Sequence, residues 1–279
     1  MIANFLRFIR FSHTIFALPF ALGAMFVAAD GLPEGRTFVL IVLAMVCART
    51  AAMAFNRLAD WEIDKRNPRT EGRHQLISRP AAIVGCGVAA LLFVLVTAAI
   101  NPLCFALSPV ALGMVFFYSF TKKFTHAAQF FLGLALAVAP VGAWLAVTGS
   151  FAWPPIVLAF AVLCWVAGFD MIYATQDYEV DKREGLHSMV VRLGIPQALG
   201  VATLLHAAAW VGLMAFGVVA GLGSIYFSSM ALVGVALGYE HFLARQGNLA
   251  AINKAFFQVN AIVSALFLLS TLVDRLVRI

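Results

Sequence analysis

Long apolar segments constrain the fold of this chain more than any other feature. A helix needs about 20 consecutive apolar residues to cross the hydrocarbon core of a bilayer. Of the 279 residues, 63% are hydrophobic and only 11% are charged. Nine segments meet the requirement, at roughly 11–30, 37–57, 80–100, 102–120, 127–147, 153–176, 197–218, 221–243 and 255–274. We therefore predict an all-α integral membrane protein in which residues 1–279 form one domain with nine transmembrane helices.

The distribution of positive charge predicts the orientation of these helices. If the N-terminus is cytoplasmic, the loops on that side carry fifteen of the nineteen Lys and Arg residues, and the opposite side carries three. Because cytoplasmic loops are typically enriched in Lys and Arg, we predict a multi-pass protein of the cell inner membrane with a cytoplasmic N-terminus. The net charge of +6 then follows from topology, and we predict no binding of nucleic acid.

One charged motif occurs twice, at the predicted cytoplasmic ends of spans 2 and 6. Asp60–Arg66 reads Asp-Trp-Glu-Ile-Asp-Lys-Arg, and Asp177–Arg183 reads Asp-Tyr-Glu-Val-Asp-Lys-Arg. Seven consecutive positions of matching chemistry are unexpected in a chain with so few charges. The match therefore indicates an internal repeat, with its site at the boundary between lipid and cytoplasm.

The spacing of the acidic residues predicts metal binding. Residues four apart share one face of a helix, so Asn56, Asp60 and Asp64 form one polar stripe, and Asp177 and Asp181 form another. Two carboxylates one turn apart repel each other and need a cation. Dense oxygen ligands suit Mg²⁺, which commonly takes one or two carboxylates together with water and phosphate oxygens. We predict that these five residues bind Mg²⁺ and that the four aspartates are catalytic.

Acid pairs, nearby cations and an apolar interior together are typical of a site for a lipid diphosphate. Metal ions and cationic side chains would stabilise the diphosphate as it leaves, while the lipid tail would extend into an apolar cavity within the membrane lipid. Loss of diphosphate from an allylic carbon leaves a carbocation that must be shielded from water. We predict a catalytic role for Tyr173, because its ring face could stabilise such a cation.

On these residues the chain resembles the UbiA family of intramembrane aromatic prenyltransferases. The family motif Asn-x3-Asp-x3-Asp matches the stripe that begins at Asn56, and Asp-x3-Asp matches the pair that begins at Asp177. A Tyr-x3-Lys pattern matches Tyr118 and Lys122. The resemblance implies a ring of nine helices around a central cavity. It also implies Mg²⁺-dependent transfer of a polyprenyl group from polyprenyl diphosphate to an aromatic acceptor.

Two positions depart from the family pattern. Arg57 stands where many members have Asp directly after the motif Asn, and His187 stands near a position where many members have Lys. The residues that we expect to bind the diphosphate are Arg69, Lys122, Lys182 and His187.

The acceptor is expected to be a hydroxylated aromatic acid, because electrophilic attack needs an electron-rich ring. Such acceptors often carry a carboxylate, which needs a cation in a partly buried cavity. Arg10 and Arg49 lie at the cytoplasmic end of the predicted cavity, outside the loops of the acid motifs. Asp170 lies deeper in span 6, where an acid is functional by default. We therefore expect Arg10, Arg49 and Asp170 to bind the acceptor.

Four stretches resemble the 4-hydroxybenzoate polyprenyltransferase branch of the family, namely Arg10–Pro19, Ala139–Trp144, Trp165–Asp170 and Gly185–Ser188. Some members of that branch are assigned to the futalosine route to menaquinone, in which the acceptor is a dihydroxynaphthoate. The resemblance therefore implies a role in ubiquinone or menaquinone biosynthesis, with 4-hydroxybenzoate and 1,4-dihydroxy-6-naphthoate as alternative acceptors.

Two other functions fit the sequence less well. An ion-coupled transporter would explain Asp170, but transporter sites typically lie near the membrane midplane with broken helices, whereas the repeated acid pairs lie at the rim. A phospholipid-head-group transferase also depends on Mg²⁺ and is rich in acids. The chain contains no Asp-Gly-x2-Ala-Arg stretch of the kind that such enzymes carry.

The charge distribution predicts a topology that reporter fusions can test. Fusions at positions around 70, 122, 187 and 248 should report a cytoplasmic location, and a fusion at the C-terminus should report the opposite side, because cytoplasmic loops carry most of the Lys and Arg. A cytoplasmic C-terminus would mean that the number of spans is wrong by one.

Overall fold

The computed structural model describes residues 2–9, 18–67, 70–248, 252–253 and 255–277, and these residues are helical without any β-strand. The helices are α1 (Ile2–Phe8), α2 (Leu18–Ala28), α3 (Gly35–Ala59), α4 (Trp61–Arg66), α5 (Arg79–Ile100), α6 (Pro102–Thr121), α7 (Ala128–Thr148), α8 (Trp153–Ala174), α9 (Tyr178–Arg183), α10 (Met189–Leu193), α11 (Ile195–Val219), α12 (Ser224–Ala244) and α13 (Asn260–Val277). Short 3₁₀ segments cover Glu71–Gln75 and Thr175–Asp177, and a π-helical turn covers Ala255–Val259. The prediction of an all-α protein is confirmed.

Eight helical segments in the described residues are long and apolar enough to cross a membrane. They are Gly35–Ala59, Arg79–Ile100, Pro102–Thr121, Ala128–Thr148, Trp153–Arg183, Ile195–Val219, Ser224–Ala244 and Phe256–Val277. These segments correspond to spans 2 to 9 of the sequence analysis, so the protein is a multi-pass membrane protein.

The first predicted span is described only in part. Within 11–30 the structure describes the apolar helix α2, which has 11 residues, and residues 10–17 lie outside the described ranges. The count of nine transmembrane helices and the cytoplasmic N-terminus therefore stay predictions.

Helices that follow one another along the chain also pack side by side. α3 packs against α5, α5 against α6, α6 against α7, and α7 against α8. The series continues from α8 through α11, α12 and α13, and α13 packs against α2, which in turn packs against α7. The contacts from α7 through α8, α11, α12, α13 and α2 back to α7 therefore form a closed series.

The helices expose apolar side chains on one face and bury small ones on the other. On α5, Val84, Val88 and Leu95 are each more than half exposed, whereas Ala82 and Ala89 are buried. The two sets recur with helical spacing, so each lies along its own stripe. In a membrane protein the exposed apolar stripe is the one that faces lipid tails.

Side chains satisfy the backbone groups at several helix ends. At the start of α6, the side-chain oxygen of Asn101 accepts a hydrogen bond from the Cys104 N–H at 2.8 Å, and its amide donates to the Leu145 carbonyl at 2.9 Å. At the start of α12, the buried Asp274 carboxylate accepts from the Gly223 N–H at 2.8 Å. Such caps matter because hydrocarbon offers no water to unpaired backbone groups.

The contact between α7 and α8 depends on a glycine. A Cβ atom on Gly133 would lie 2.5 Å from the Leu163 carbonyl oxygen, which belongs to the backbone and cannot rotate away. Gly133→Ala should therefore separate the two helices and lower the free energy of unfolding by about 1–3 kcal/mol, measured by SDS titration of the purified protein. Gly113→Ala on α6 is the control, because nothing lies within 4 Å of its added methyl group. Equal stability of the two variants would contradict this packing.

Candidate functional site

A cavity of about 720 Å³ lies among α3, α5, α6, α7 and α8. One end of the cavity is polar and is lined by both acid motifs together with Lys122. The rest of the wall is mostly apolar and follows α6 and α7, with Leu107, Leu136 and Leu145 among its residues, as far as Phe151 beyond the end of α7. A single space thus connects a highly charged end to a long apolar interior.

The first motif lines the polar end with Asn56, Asp60 and Asp64. The structure corrects the expectation that they lie on one uninterrupted helix, because α3 ends at Ala59 and α4 begins at Trp61. Asp60 lies between them with φ −99° and ψ 9°. Helical hydrogen bonds nevertheless continue, from the Asp60 N–H to the Asn56 carbonyl at 3.0 Å and from the Asp64 N–H to the Asp60 carbonyl at 2.8 Å. The three polar side chains therefore still face the same cavity.

The second motif repeats this geometry. Asp177 has φ −101° and ψ 3°, and it separates the helical segment that contains α8 from α9. Asp177 and Asp181 both line the cavity and are partly exposed. The two motifs are therefore alike in backbone conformation as well as in sequence, each with a short break at its first aspartate.

Cationic side chains contact the aspartates of the first motif. Lys122 Nζ lies 2.7 Å from Asp60 Oδ2, and Arg57 Nη1 lies 3.7 Å from Asp64 Oδ2. Asp60 is only 3% exposed, and its second oxygen, Oδ1, is buried without a hydrogen-bond partner among the described residues. Asn56 donates a longer hydrogen bond, of 3.5 Å, to Ser119 Oγ.

The segment after the first motif joins the two motifs. Asn67 Nδ2 donates to Asp177 Oδ1 at 3.2 Å, and Thr70 Oγ1 donates to the Asp64 carbonyl at 3.1 Å. Arg66 also pairs with Glu184 at 3.0 Å. Asn67 and Thr70 are buried and line the cavity. Neither residue was predicted from the sequence, although both are polar and follow closely after a repeated motif, which is a signal that could have identified them.

Four polar side chains lie farther along the cavity wall. They are Arg49, Tyr118, Asp170 and Tyr173. Arg49 Nε is buried without a hydrogen-bond partner among the described residues. The Tyr173 ring lies 4.3 Å, centroid to centroid, from that of Phe256. Arg49, Asp170 and Tyr173, which the sequence analysis singled out, are therefore brought to the same cavity as the acid motifs.

Two residues predicted to bind the diphosphate, Lys182 and His187, do not line the cavity. The exposed Lys182 has its Nζ 5.8 Å from the centroid of the Tyr178 ring, and it does not line the cavity. His187 is also absent from the lining. Its ring lies 4.8 Å from the His126 ring, and its backbone N–H donates to the Lys122 carbonyl at 2.7 Å. Arg10 and Arg69 lie outside the described residues.

The donor groups at the polar end fit a divalent cation that is shared with a substrate. No three acidic, His or Cys side chains among the described residues come close enough to hold one ion. Each motif instead offers two aspartates, and Asp60 has a buried oxygen without a partner. Mg²⁺ is commonly bound by one or two carboxylates, with water and phosphate oxygens as the other ligands. The residues that would hold it are Asn56, Asp60, Asp64, Asp177 and Asp181.

Comparisons with known proteins agree with this architecture. Residues 17–263 match the sequence profile of the UbiA prenyltransferase family. The chain is 32% identical over 244 residues to a 4-hydroxybenzoate octaprenyltransferase of Vibrio atlanticus, an alignment that covers 86% of this chain and 85% of the relative. It is 31% identical over 261 residues to a protein of the same name from Nitrosospira multiformis, covering 92% of this chain and 89% of the relative.

Two solved structures have a similar fold. The apo structure of a UbiA homolog from Aeropyrum pernix K1 has a TM-score of 0.86 and 29% identity, and the match covers 94% of this chain and 98% of that one. A UbiA homolog from Archaeoglobus fulgidus bound to DMAPP and Mg²⁺ has a TM-score of 0.75 and 22% identity, with 98% of this chain and 99% of that one covered. At 22% identity, the similarity to the Archaeoglobus fulgidus structure supports the fold alone.

Binding of a divalent cation should depend on the aspartates of each motif and not on the glutamate between them. We expect Asp60→Asn and Asp177→Asn each to weaken Mn²⁺ binding at least about tenfold, because even changes around metal ligands typically cost that much. Electron paramagnetic resonance of free Mn²⁺ measures this binding. Glu62→Gln and Glu179→Gln are matched controls, because both glutamates are exposed and neither lines the cavity. Equal loss in the glutamate variants would mean that only net charge matters.

Proposed function

The chain belongs to the UbiA prenyltransferase family, and we propose that this membrane prenyltransferase transfers a polyprenyl group from polyprenyl diphosphate to a hydroxylated aromatic acid. The observation that carries the proposal is the single cavity in which two acid motifs meet a long apolar wall. A polyprenyl diphosphate has the same two parts, a charged head and an apolar tail.

The diphosphate binds at the polar end, between the two motifs. Lys122, now paired with Asp60, is the cation best placed to contact it, and the Arg57 guanidinium contributes positive charge nearby. Mg²⁺, when bound, would neutralise the charge that develops on the leaving diphosphate. Lys182 and His187 lie outside the cavity lining, so their predicted contribution depends on a rearrangement of the rim when the substrate binds.

The prenyl tail lies along the apolar wall. Because the tail enters the cavity from lipid, which is as apolar as the wall, the wall directs the tail by packing against it and adds little hydrophobic driving force. An apolar wall also excludes water from the allylic carbocation that forms when diphosphate leaves. Tyr173, which lines the cavity between the acid motif and Phe169, presents an aromatic ring to that cation.

The acceptor lies deeper than the diphosphate, near Arg49 and Asp170. A carboxylate of the acceptor pairs with the guanidinium of Arg49, whose Nε has no hydrogen-bond partner among the described residues. Asp170 accepts a hydrogen bond from the ring hydroxyl, which increases the electron density of the ring carbon beside it. The bond between the allylic carbon and the diphosphate oxygen breaks, attack by the ring carbon forms the new C–C bond, and transfer of the ring proton to the released diphosphate restores aromaticity.

Two acceptors are compatible with the proposed site, and the names of the relatives favour one of them. The relatives named 4-hydroxybenzoate octaprenyltransferase favour 4-hydroxybenzoate and a role in ubiquinone biosynthesis. The two-ring alternative, 1,4-dihydroxy-6-naphthoate, would place the enzyme in menaquinone biosynthesis and needs a wider site of the same chemistry. In either case the charge distribution of the loops favours an inner-membrane enzyme with its active site facing the cytoplasm.

Product analysis tests this proposal. Purified protein in nanodiscs with Mg²⁺ and a prenyl diphosphate should prenylate at least one of the two acids, as detected by mass spectrometry. Phenol and 1,4-naphthalenediol, which lack the carboxylate, should react with a kcat/KM lower by about tenfold or more, because hydrogen bonds to charged groups are worth about 1.5–3 kcal/mol.

Arginine variants identify the partner of the carboxylate. Arg49→Gln should remove most of the preference for the acids, whereas Arg79→Gln, at an exposed position outside the cavity lining, should retain it. Arg10→Ala is measured in parallel because the sequence predicts the same role for Arg10. Equal prenylation of the acids and their analogues by the wild type would overturn the arginine–carboxylate pairing. Consumption of neither acid would overturn the substrate class.

A further inference from the structure

A group of buried polar side chains lies behind the cavity wall, on α11, α12 and α13. His206, Glu240, His241 and Asn260, called the buried network below, are exposed by 2%, 0%, 8% and 0%. None of the four lines the cavity, and none takes part in the proposed reaction. Polar groups inside a membrane protein are costly unless they are paired, and they often mark function.

A chain of hydrogen bonds, donated from His241 to His206 and from His206 to the backbone of α8, connects the two histidines to that helix. His206 Nε2 lies 3.1 Å from the Trp165 carbonyl, which can only accept, so Nε2 carries the hydrogen. In a neutral ring His206 Nδ1 is then an acceptor, and His241 Nε2, at 3.0 Å, donates to it. The Trp165 carbonyl is also the one that the helical pattern pairs with the Phe169 N–H. The network therefore contacts α8 directly at the turn that carries Phe169.

The backbone of α8 is adapted to this contact. A Cβ atom on Gly168 would lie 2.3 Å from His206 Cδ2 and 2.5 Å from its Nε2. Only glycine lets the imidazole approach α8 this closely. Gly168 directly precedes Phe169, which is buried and lines the cavity.

The other end of the network contacts the π-helical turn before α13. Asn260 Nδ2 donates to Glu240 Oε1 at 2.7 Å and to the Phe256 carbonyl at 3.1 Å. Phe256 belongs to the turn at Ala255–Val259 and lines the cavity. Glu240 Oε2 lies 3.6 Å from His206 Nδ1, so the two ends of the network lie side by side, without a hydrogen bond between these two atoms.

Three aromatic rings form the wall between the network and the cavity. The Phe256 ring lies 4.3 Å from that of Tyr173 and 5.5 Å from that of Phe169, centroid to centroid. All three residues line the cavity beside Asp170, where the acceptor is proposed to bind. The network thus contacts the backbone on both sides of this aromatic wall, at the turn of Phe169 and at Phe256 itself.

We propose that the buried network positions this aromatic wall and thereby sets the width of the acceptor site, which determines whether a one-ring or a two-ring acid is preferred. Glu240, Asn260 and His206 act as positioning residues, and Phe256 is the residue that determines specificity. The part that concerns the acceptor rests on the function proposed above, whereas the positioning of the wall does not.

The position of the Phe256 ring can be measured without any reaction. 4-Fluorophenylalanine placed at position 256 reports the environment of the ring by ¹⁹F NMR. Asn260→Leu replaces the amide by an apolar side chain of similar length. It removes the hydrogen bonds to Glu240 and to the Phe256 carbonyl, and it should shift or broaden the resonance. Ser270→Ala is the matched control, because it removes a buried hydrogen bond from the same helix, to the Phe267 carbonyl at 3.1 Å, and should leave the resonance unchanged. An unchanged resonance in Asn260→Leu would overturn the positioning role.

The ratio of kcat/KM for 4-hydroxybenzoate and 1,4-dihydroxy-6-naphthoate tests the specificity role. Asn260→Leu and Phe256→Leu should each change this ratio by about tenfold, since pocket shape typically contributes 10-fold to 200-fold to discrimination. The KM for prenyl diphosphate should change less than this ratio, because the diphosphate binds at the acid motifs and most of the tail along α6 and α7, and only its allylic end reaches Tyr173. Glu240→Gln keeps an acceptor oxygen for Asn260 and should retain both the ratio and the ¹⁹F resonance.

The possible outcomes separate the two proposals. A lower melting temperature for Asn260→Leu with an unchanged ratio and an unchanged resonance would show that the network only stabilises the fold. If the wild type prenylates neither acid, the proposed function fails and the specificity role fails with it, while the ¹⁹F measurement still decides whether the network positions the wall.

Discussion

Repulsion within the two aspartate pairs is the constraint on which the rest of the structure depends. Carboxylates one helical turn apart destabilise each other, and burial beside hydrocarbon makes unpaired charge more costly. Asp60 and Asp64 are nevertheless buried, with Lys122 and Arg57 as their cationic neighbours. Metal ions would add further positive charge, and a diphosphate would supply additional ligands to them. The polar end of the cavity is therefore organised to receive an anion together with its cations.

The duplication of the motif gives this site its two opposing halves. The same backbone break recurs at Asp60 and Asp177, and the hydrogen bond from Asn67 to Asp177 and the ion pair between Arg66 and Glu184 join the halves directly. A diphosphate bound between them would contact both halves at once, and the apolar wall along α6 and α7 would direct its tail.

The features that the sequence predicted are those with a local signal. Hydropathy identified the eight long spans, and the spacing of four residues within each motif identified the aspartates that line the cavity. The breaks at Asp60 and Asp177 were not predictable, because neither motif contains Gly or Pro, the residues that most strongly disfavour helix. The role of Asn67 was not predicted because its hydrogen-bond partner, Asp177, lies 110 residues away in the chain. The ring of His187 packs against His126, a contact that spacing along the chain does not reveal. The buried network was not predicted, because its four residues lie on three separate apolar helices and their spacing along the chain does not show that these helices bring them together.

We infer that both motifs act on one prenyl diphosphate whose tail occupies the apolar cavity. A structure of the protein with Mg²⁺ and a prenyl thiolodiphosphate, which resists cleavage, would show this directly. We expect density for a diphosphate between Asp60 and Asp177, with divalent cations that contact both its oxygens and the two motifs, and for a tail along α6 and α7. A diphosphate bound to one motif alone, or a tail outside the cavity, would contradict this mode of binding.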